Sequence, residues 1–269
     1  MTPDSDLAAY LDRIELTAPP APTAAGLAEL HLAHATHIPF ENLDVILGRP
    51  IRLDPKSLHQ KLIHDRRGGY CFEQNLLFAS VLERLGFRVT RLAARVRYRA
   101  TSLLPRTHML LAVEVDGESW LADVGFGGSG PLLPIRFVAG REQRQFVWNY
   151  RLVKEADAWV LQAQRPERWE DFYTFTLEPQ EVVDYDVANY YVSTHPDSPF
   201  TRTLAAQLPT PEARFVLRNR ELTIERAAGT EIRAITDDEL PEVLRRLFGL
   251  ALPPGTTIPD IPWGWRPGS

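Results

Sequence analysis

One cysteine among 269 residues excludes an internal disulfide and any multi-cysteine metal site. A basic excess is missing as well. With 30 Lys and Arg against 35 Asp and Glu the formal charge is −5, so nothing favours nucleic acid as the main partner. No apolar run approaches the length of a membrane span. The start, Met1-Thr-Pro-Asp-Ser-Asp, lacks a positive segment followed by an apolar one, so no secretory signal is expected. With the single thiol, these absences point to a reducing, cytoplasmic setting. Internal repeats, low-complexity segments and long linkers are lacking too, so the parts of the chain are expected to pack closely.

What is present is an ordinary globular composition, 44 % hydrophobic, in three stretches. Residues 1–86 read as helix. Leu7, Tyr10, Leu11 and Ile14 have helical spacing, and Ala18-Pro-Pro-Ala-Pro-Thr breaks the chain. Thr23 is placed to cap a second helix carrying Leu27, Leu30 and Leu32, which ends before Pro39. A third helix is expected from Cys71 to Leu85, with Phe72, Leu76, Ala79, Leu82 and Leu85 as its stripe and Gly86 beyond its end. Residues 87–195 read as strands, over 88–98, 108–115, 119–124, 145–153, 158–164 and 169–176, with Asp116-Gly117 as a hairpin turn. An antiparallel sheet or barrel is expected. Residues 196–269 are mixed. Strands are expected over 213–219 and 221–226, then a helix capped by Thr236 or Asp237 that runs to Phe248 with Gly249 after it. The final tail, rich in Pro and Trp, has no clear element.

Cys71 follows Gly68-Gly69-Tyr70 and opens the third helix. Free N–H groups and the dipole at a helix N-terminus favour an anion, and a thiolate is one. A cysteine nucleophile needs a base, and the base needs an orienting group. His108 opens one arm of the Asp116-Gly117 hairpin and Asp123 closes the other. They flank the turn almost symmetrically, which predicts that they lie opposite each other across the antiparallel pair. A one-residue slip would send them to opposite faces. Asp123 then holds one ring nitrogen of His108, and the other nitrogen takes the proton of Cys71. Backbone N–H groups near Cys71 are available to a tetrahedral oxyanion.

Gly125-Phe-Gly-Gly-Ser-Gly follows Asp123 and Val124. It allows a ligand close to the backbone and offers N–H groups to a phosphate, or it is a plain loop; it is not a Walker motif. His31, His34 and His37, three apart on the second helix, spread over roughly 120°. No carboxylate completes a site there. They are read as solvated or hydrogen-bonding histidines, and no metal is assigned.

These residues resemble the arylamine N-acetyltransferases. The resemblance is carried by Arg67-Gly-Gly-Tyr-Cys-Phe-Glu-Gln-Asn, His108 and Asp123-Val-Gly-Phe-Gly. Ile38-Pro-Phe-Glu-Asn-Leu-Asp and Tyr190-Tyr-Val-Ser-Thr-His-Pro-Asp-Ser-Pro-Phe extend it, in order, from about residue 30 to 200. It implies an α+β fold of the cysteine-protease-like superfamily: an N-terminal helical bundle, a central antiparallel β-barrel and a C-terminal α/β lid. Cys71, His108 and Asp123 would form a triad at the junction. It implies ping-pong transfer in xenobiotic metabolism, with acetyl-CoA as cosubstrate and no permanently bound cofactor. Cys71 would become acetylated, and an arylamine, arylhydrazine or N-hydroxyarylamine would take the acetyl group. Phe40, Val96 and Phe126 would contact the aryl substrate, and Thr107 and Gly127 the pantetheine arm. Arg202, Arg214 and Arg218 are candidates for the CoA phosphates or form a solvated basic face. The partners implied are small molecules, with the protein a monomer or homodimer.

The C-terminal third carries no matching motif. Similar proteins with the same triad act as amide synthases on larger acyl thioesters, which is the alternative donor reading. A papain- or transglutaminase-like hydrolase or crosslinker, and a non-catalytic binding protein, are the readings from other classes. The Arg-Gly-Gly-Tyr-Cys-Phe-Glu run points away from the hydrolase.

Overall fold

The computed structural model describes residues 3–253 and 255–259; the tail from residue 260 onward lies outside the described residues. The N-terminal part is helical. Helices α1 (Pro3–Arg13) and α2 (Ala24–His37) flank the proline-rich break. The Thr23 hydroxyl caps α2, accepting the Gly26 N–H at 3.1 Å. Strand β1 (Phe40–Glu41), one-turn helices α3 (Leu43–Ile46) and α4 (Pro55–Leu58), and a π-helical turn (His59–His64) lead to α5 (Cys71–Arg84). Gly86, at φ 89°, follows its end as expected.

Eight strands come next: β2 (Arg88–Val96), β3 (Arg106–Val115), β4 (Glu118–Ala122), β5 (Ile135–Arg136), β6 (Glu142–Gln145), β7 (Trp148–Glu155), β8 (Ala158–Gln164) and β9 (Trp169–Phe175). They form one antiparallel sheet in the order β5-β4-β3-β2-β9-β8-β7-β6, curled into a nearly closed barrel. At the seam between β5 and β6 a side chain replaces the backbone ladder. Gln143 accepts the Arg136 N–H at 2.8 Å and donates to the Arg136 carbonyl at 2.9 Å. Asp116 and Gly117 turn the β3–β4 hairpin with φ of 53° and 75°, as a two-residue loop requires.

Two expectations for this region are corrected. The strand expected over 145–153 is two strands with a turn at Phe146-Val147, where Phe146 takes φ 56°. The strand-rich stretch ends at Phe175, and Val182–Thr194 form a helix, α6. Its valines and tyrosines favour strands, but the Asp184 carboxylate caps its start by accepting the Glu181 N–H at 2.9 Å. Tyr185, Ala188 and Val192 then share the face that packs inward.

The C-terminal part holds α7 (Pro199–Arg202), β10 (Ala205–Pro209), β11 (Ala213–Arg218), β12 (Glu221–Arg226), β13 (Gly229–Ala234) and α8 (Leu240–Phe248). Strands β10 and β13 were not expected. The four strands form an antiparallel sheet whose far edge is β1, with Phe40 opposite Gln207 and Glu41 opposite Ala206. Thr236 precedes the N-cap of α8, which is Glu239. The two exchange bonds, Thr236 N–H to the Glu239 carboxylate at 2.9 Å and Glu239 N–H to the Thr236 hydroxyl at 3.3 Å.

Three buried clusters result: the helices against β2 and β3, the barrel interior, and the C-terminal sheet under α8. Alternation along β3 divides the first two, since Met109, Leu111 and Val113 face the helices and Leu110 faces the barrel. Among the described residues no helix is long and apolar enough to cross a membrane.

His31 and His34 are buried rather than solvated. His34 donates from Nε2 to Gln74 Oε1 at 2.7 Å, and its Nδ1 accepts the Tyr10 hydroxyl at 2.9 Å. Burial pushes its pKa down to about 3 and that of His31 down to about 4. Among the described residues no group of three or more His, Cys, Asp or Glu is placed to hold a metal ion. Both histidines are neutral in the fold but have an ordinary pKa of about 6.5 once unfolded. The stability this provides is complete above about pH 6.5 and is lost as pH falls toward the folded values. The thermal midpoint, followed by circular dichroism, is expected to drop across that window. His34→Leu, which strands Tyr10 and Gln74, is expected to cost ~2–4 kcal/mol and to flatten the acid slope. An unchanged slope would refute the assignment.

Candidate active site

Cys71, the candidate nucleophile, is placed by the chain ahead of it. The Gly69 N–H donates to the Pro39 carbonyl at 3.3 Å, and the Gly69 carbonyl accepts the Glu41 N–H at 3.0 Å. A Cβ at Gly68 would lie 2.0 Å from the Pro39 oxygen, so no other residue fits. Buried charges lock the same segment. Arg67 donates to Glu41 from Nε at 3.0 Å and Nη2 at 2.7 Å. Lys61 Nζ bridges Asp44 at 2.8 Å and Glu73 at 2.7 Å. Glu73 in turn caps α5, its Oε2 accepting the Tyr70 N–H at 3.0 Å. Burial raises the Asp44 pKa, but Lys61 and Arg67 outweigh it and hold the carboxyl below its ordinary range.

Cys71 is the first residue of α5 and is buried. Its thiol donates to the Thr107 carbonyl at 3.6 Å. Thr107 sits at a bulge: Ala94 pairs with His108 and Arg95 with Arg106, leaving Thr107 without a partner on β2. A bulge re-aims its neighbours, and here His108 comes beside Cys71. His108 Nε2 meets Asp123 Oδ2 at 2.7 Å. The two are not directly opposite, as the hairpin had suggested. Leu111 pairs with Ala122, so Asp123 lies just past the ladder, two residues along the diagonal from His108. An offset of two preserves the face, and the side chains still meet.

The Asp123 carboxylate is buried with four donors. Oδ2 accepts His108 and the Tyr173 hydroxyl at 2.8 Å; Oδ1 accepts Asn75 Nδ2 and the Gly125 N–H, both at 3.0 Å. Burial raises its pKa, but His108, Asn75 and Tyr173 outweigh it, so the group is held below the usual carboxylate range. Burial likewise disfavours an imidazolium at His108, yet Asp123 and Cys71 prevail and lift its pKa to about 10. Nε2 being taken by Asp123, Nδ1 is the ring atom left for Cys71.

Asn75 and Tyr173 were not anticipated. Asn75 stands one turn after Cys71, a spacing that puts both on one helix face. It also donates to the Met109 carbonyl at 2.8 Å and accepts the Val124 N–H at 3.1 Å. Tyr173 has no local signal; only the pairing of β9 with β2, Tyr173 opposite Val96, brings it in. That pairing places Val96, half-buried, on the sheet face that carries Tyr173 toward Asp123. Phe126 presents its ring edge to His108 at 5.3 Å and stacks on Phe172 at 5.1 Å. Phe40 is buried 6.0 Å from the Phe200 ring.

The glycine loop is a close-packed connection in which three backbone N–H groups are already taken. The N–H groups of Gly125, Gly128 and Gly130 are bonded to Asp123, Gln207 and the Gly127 carbonyl. A Cβ at Gly125 would lie 2.7 Å from the Cys71 Cα, so glycine is what lets the loop lie on α5. Gly127 is buried beneath Gln207 and Phe40. Of the three arginines, Arg214 is buried with its guanidinium 3.6 Å over the Trp148 ring and bonded to the Tyr150 hydroxyl, which takes it out of reach of a solvent-borne phosphate. Arg202 is paired with Asp197 at 2.9 Å. Arg218, on β11, is half-buried.

An α+β fold of this kind, with a sole cysteine beside a buried His–Asp pair, defines a class that known proteins make specific. A family model described as N-acetyltransferase matches residues 23–257. The arylamine N-acetyltransferase of Mycobacterium tuberculosis is 43% identical over 252 residues, 91% of this chain and 89% of that protein. A Salmonella typhimurium protein named arylamine N-acetyltransferase / N-hydroxyarylamine O-acetyltransferase is 39% identical, over 92% of this chain and 90% of its own. The solved structure of Mycobacterium marinum arylamine N-acetyltransferase in complex with CoA superposes with a TM-score of 0.86 at 40% identity, covering 90% of this chain and 92% of that one. The chain belongs to the arylamine N-acetyltransferase family. It is an acyltransferase.

The raised His108 pKa has a sign that can be tested. The imidazole takes up its proton more readily in the fold than at its unfolded value of about 6.5. The resulting stability is complete below pH 6.5 and is lost as pH rises toward about 10. The thermal midpoint is expected to fall over that interval, and His108→Gln to remove most of the fall. A wild-type slope in the variant would show that another group titrates.

Proposed function

We propose that the protein transfers an acetyl group from acetyl-CoA to arylamines, arylhydrazines and N-hydroxyarylamines by a ping-pong route through acetyl-Cys71. The observation that carries the reading is the buried His108–Asp123 pair at 2.7 Å, next to a cysteine that opens a helix. The CoA complex of the M. marinum relative and the name of the S. typhimurium relative support the donor and the acceptor classes.

In the first half-reaction the Cys71 sulfur attacks the thioester carbonyl. The carbonyl oxygen becomes an oxyanion facing first-turn N–H groups of α5. The bond from carbon to the CoA sulfur then breaks, and the CoA thiolate takes the proton from the His108 imidazolium. In the second, the amine nitrogen attacks acetyl-Cys71 and His108 Nδ1 takes a proton from it. The bond to Sγ breaks, which restores the thiolate and imidazolium. Asp123 fixes the ring through Nε2 and stabilises its charge. Phe126, with Phe40 and Val96, would present an apolar wall to the aryl ring. Thr107 and Gly127 are the candidate neighbours of the pantetheine arm. In this reading residues 1–86 supply the nucleophile, 87–195 the base and its orienter, and 196–269 the lid. The setting is cytoplasmic and the partners are small molecules.

Acetyl-CoA alone is expected to leave one acetyl group on the protein, seen by intact mass and absent in Cys71→Ala. Asp123→Asn, which presents the wrong tautomer, is expected to lower turnover by about 10⁴-fold. A donor series separates chemistry from specificity. Turnover with long acyl thioesters and none with acetyl-CoA would select the amide-synthase alternative, and no adduct with any donor would overturn the covalent route.

A further inference from the structure

The three histidines of α2 play no part in the reaction above, yet one of them reaches the site. His31 is wholly buried, its ring edge-on to Phe78 at 5.8 Å. Its Nε2 accepts the backbone N–H of Asp123 at 3.0 Å. Its Nδ1 faces the Leu132 carbonyl at 2.9 Å. A carbonyl only accepts, so Nδ1 carries the proton and Nε2 is free to accept. One neutral ring therefore ties together the two ends of the loop 123–132, which carries both Asp123 and Phe126.

Each end has a distinct consequence. The Asp123 N–H fixes the backbone from which the carboxylate projects. That carboxylate has to meet His108, Tyr173, Asn75 and Gly125 at once. The Leu132 carbonyl fixes where the loop leaves, and with it the arc that sets Phe126 against His108. Aliphatic residues at position 31 would fill the space but leave a buried N–H and a buried carbonyl without partners. His34, one turn later on the same helix, holds Gln74, whose Nε2 donates to the Pro39 carbonyl at 2.9 Å in the lead-in to Cys71. A single helix thus refers both the nucleophile segment and the Asp123 loop to one frame.

We propose that His31 is a positioning residue for transfer, clipping the Asp123–Leu132 loop so that Asp123 and Phe126 hold His108 in its working orientation. The proposal rests on the triad reading above. Its mechanism is geometric: a displacement of about 1 Å at an orienting group costs on the order of 10²-fold in rate.

The test uses the full-length enzyme. Rates of Cys71 acetylation by acetyl-CoA and of Cys71 alkylation by iodoacetamide are measured from pH 5 to 9. His31→Leu is expected to slow acetylation by about 10- to 100-fold. It is also expected to depress alkylation at pH 6 much more than at pH 9, because the pairing of His108 with the Cys71 sulfur is what the substitution disturbs. His31→Gln, with a side-chain oxygen at the position of Nε2, is expected to recover most of both. His31→Asn, which reaches only the Leu132 side, is expected to recover less. A His31→Leu protein with wild-type rates and pH profile and only a lower melting temperature overturns the proposal, because that is the mark of a merely structural residue. If His31→Leu does not fold, equal profiles for the Gln and Asn variants overturn it and a better Gln variant supports it. Acetylation that persists in Cys71→Ala would instead remove the triad reading itself.

Discussion

A carboxylate with no exposed side-chain surface is the constraint around which this protein is arranged. An ionised Asp123 left unpaired in an apolar interior would cost several kcal/mol or more. Its four donors come from β3, β9, α5 and its own loop, and its backbone N–H is taken by α2. No one element supplies enough of them. The charge is compensated only when the helices and the barrel are docked, so the buried carboxylate and the junction between them form together. The aromatic surroundings sharpen it. Tyr173 and Phe126 lie 4.8 and 5.3 Å from the His108 ring, and in so apolar an enclosure the attraction between imidazolium and carboxylate is screened far less than in water.

Features decided by neighbouring residues could be read from the sequence, and features decided across the fold could not. The Thr23 cap, the Gly86 stop and the Asp116-Gly117 hairpin each depend on a few consecutive residues whose backbone preferences are strong. Helix α6 was missed because Val182, Val183, Val187 and Tyr190 suggest a strand and are largely exposed, so no inward stripe stands out. The Phe146-Val147 turn was missed because neither residue is a customary turn former. Strand β13 is exposed along its whole length and offers no alternation.

The site divides in the same way. Cys71, His108 and Asp123 could be paired from one hairpin and one helix start. The two-residue diagonal between His108 and Asp123 required the actual ladder, and Tyr173 required the partner of β2 to be known. Asn75 was within reach, since a polar residue one turn from a nucleophile shares its face. His31 and His34 carried a legible periodicity, and their hydrogen-bonding role was within reach; that they are buried was not, because spacing alone does not tell a solvated ring from one enclosed by the fold. Arg214 makes the same point, a cation that the chain spends under two aromatic rings rather than at the surface.

Strand β1 has a further consequence. Phe40 and Glu41 are the edge of a sheet whose other strands lie far along the chain, and Pro39 and Glu41, on either side of Phe40, clamp Gly69 ahead of Cys71. During synthesis, the Cys71 segment would therefore lack its final support until the ribosome has released β10. Contacts of such long sequence separation form late and slowly. An early stop or a truncation before Pro209 would then leave the Cys71 segment without that support while keeping Cys71, His108 and Asp123 in the chain.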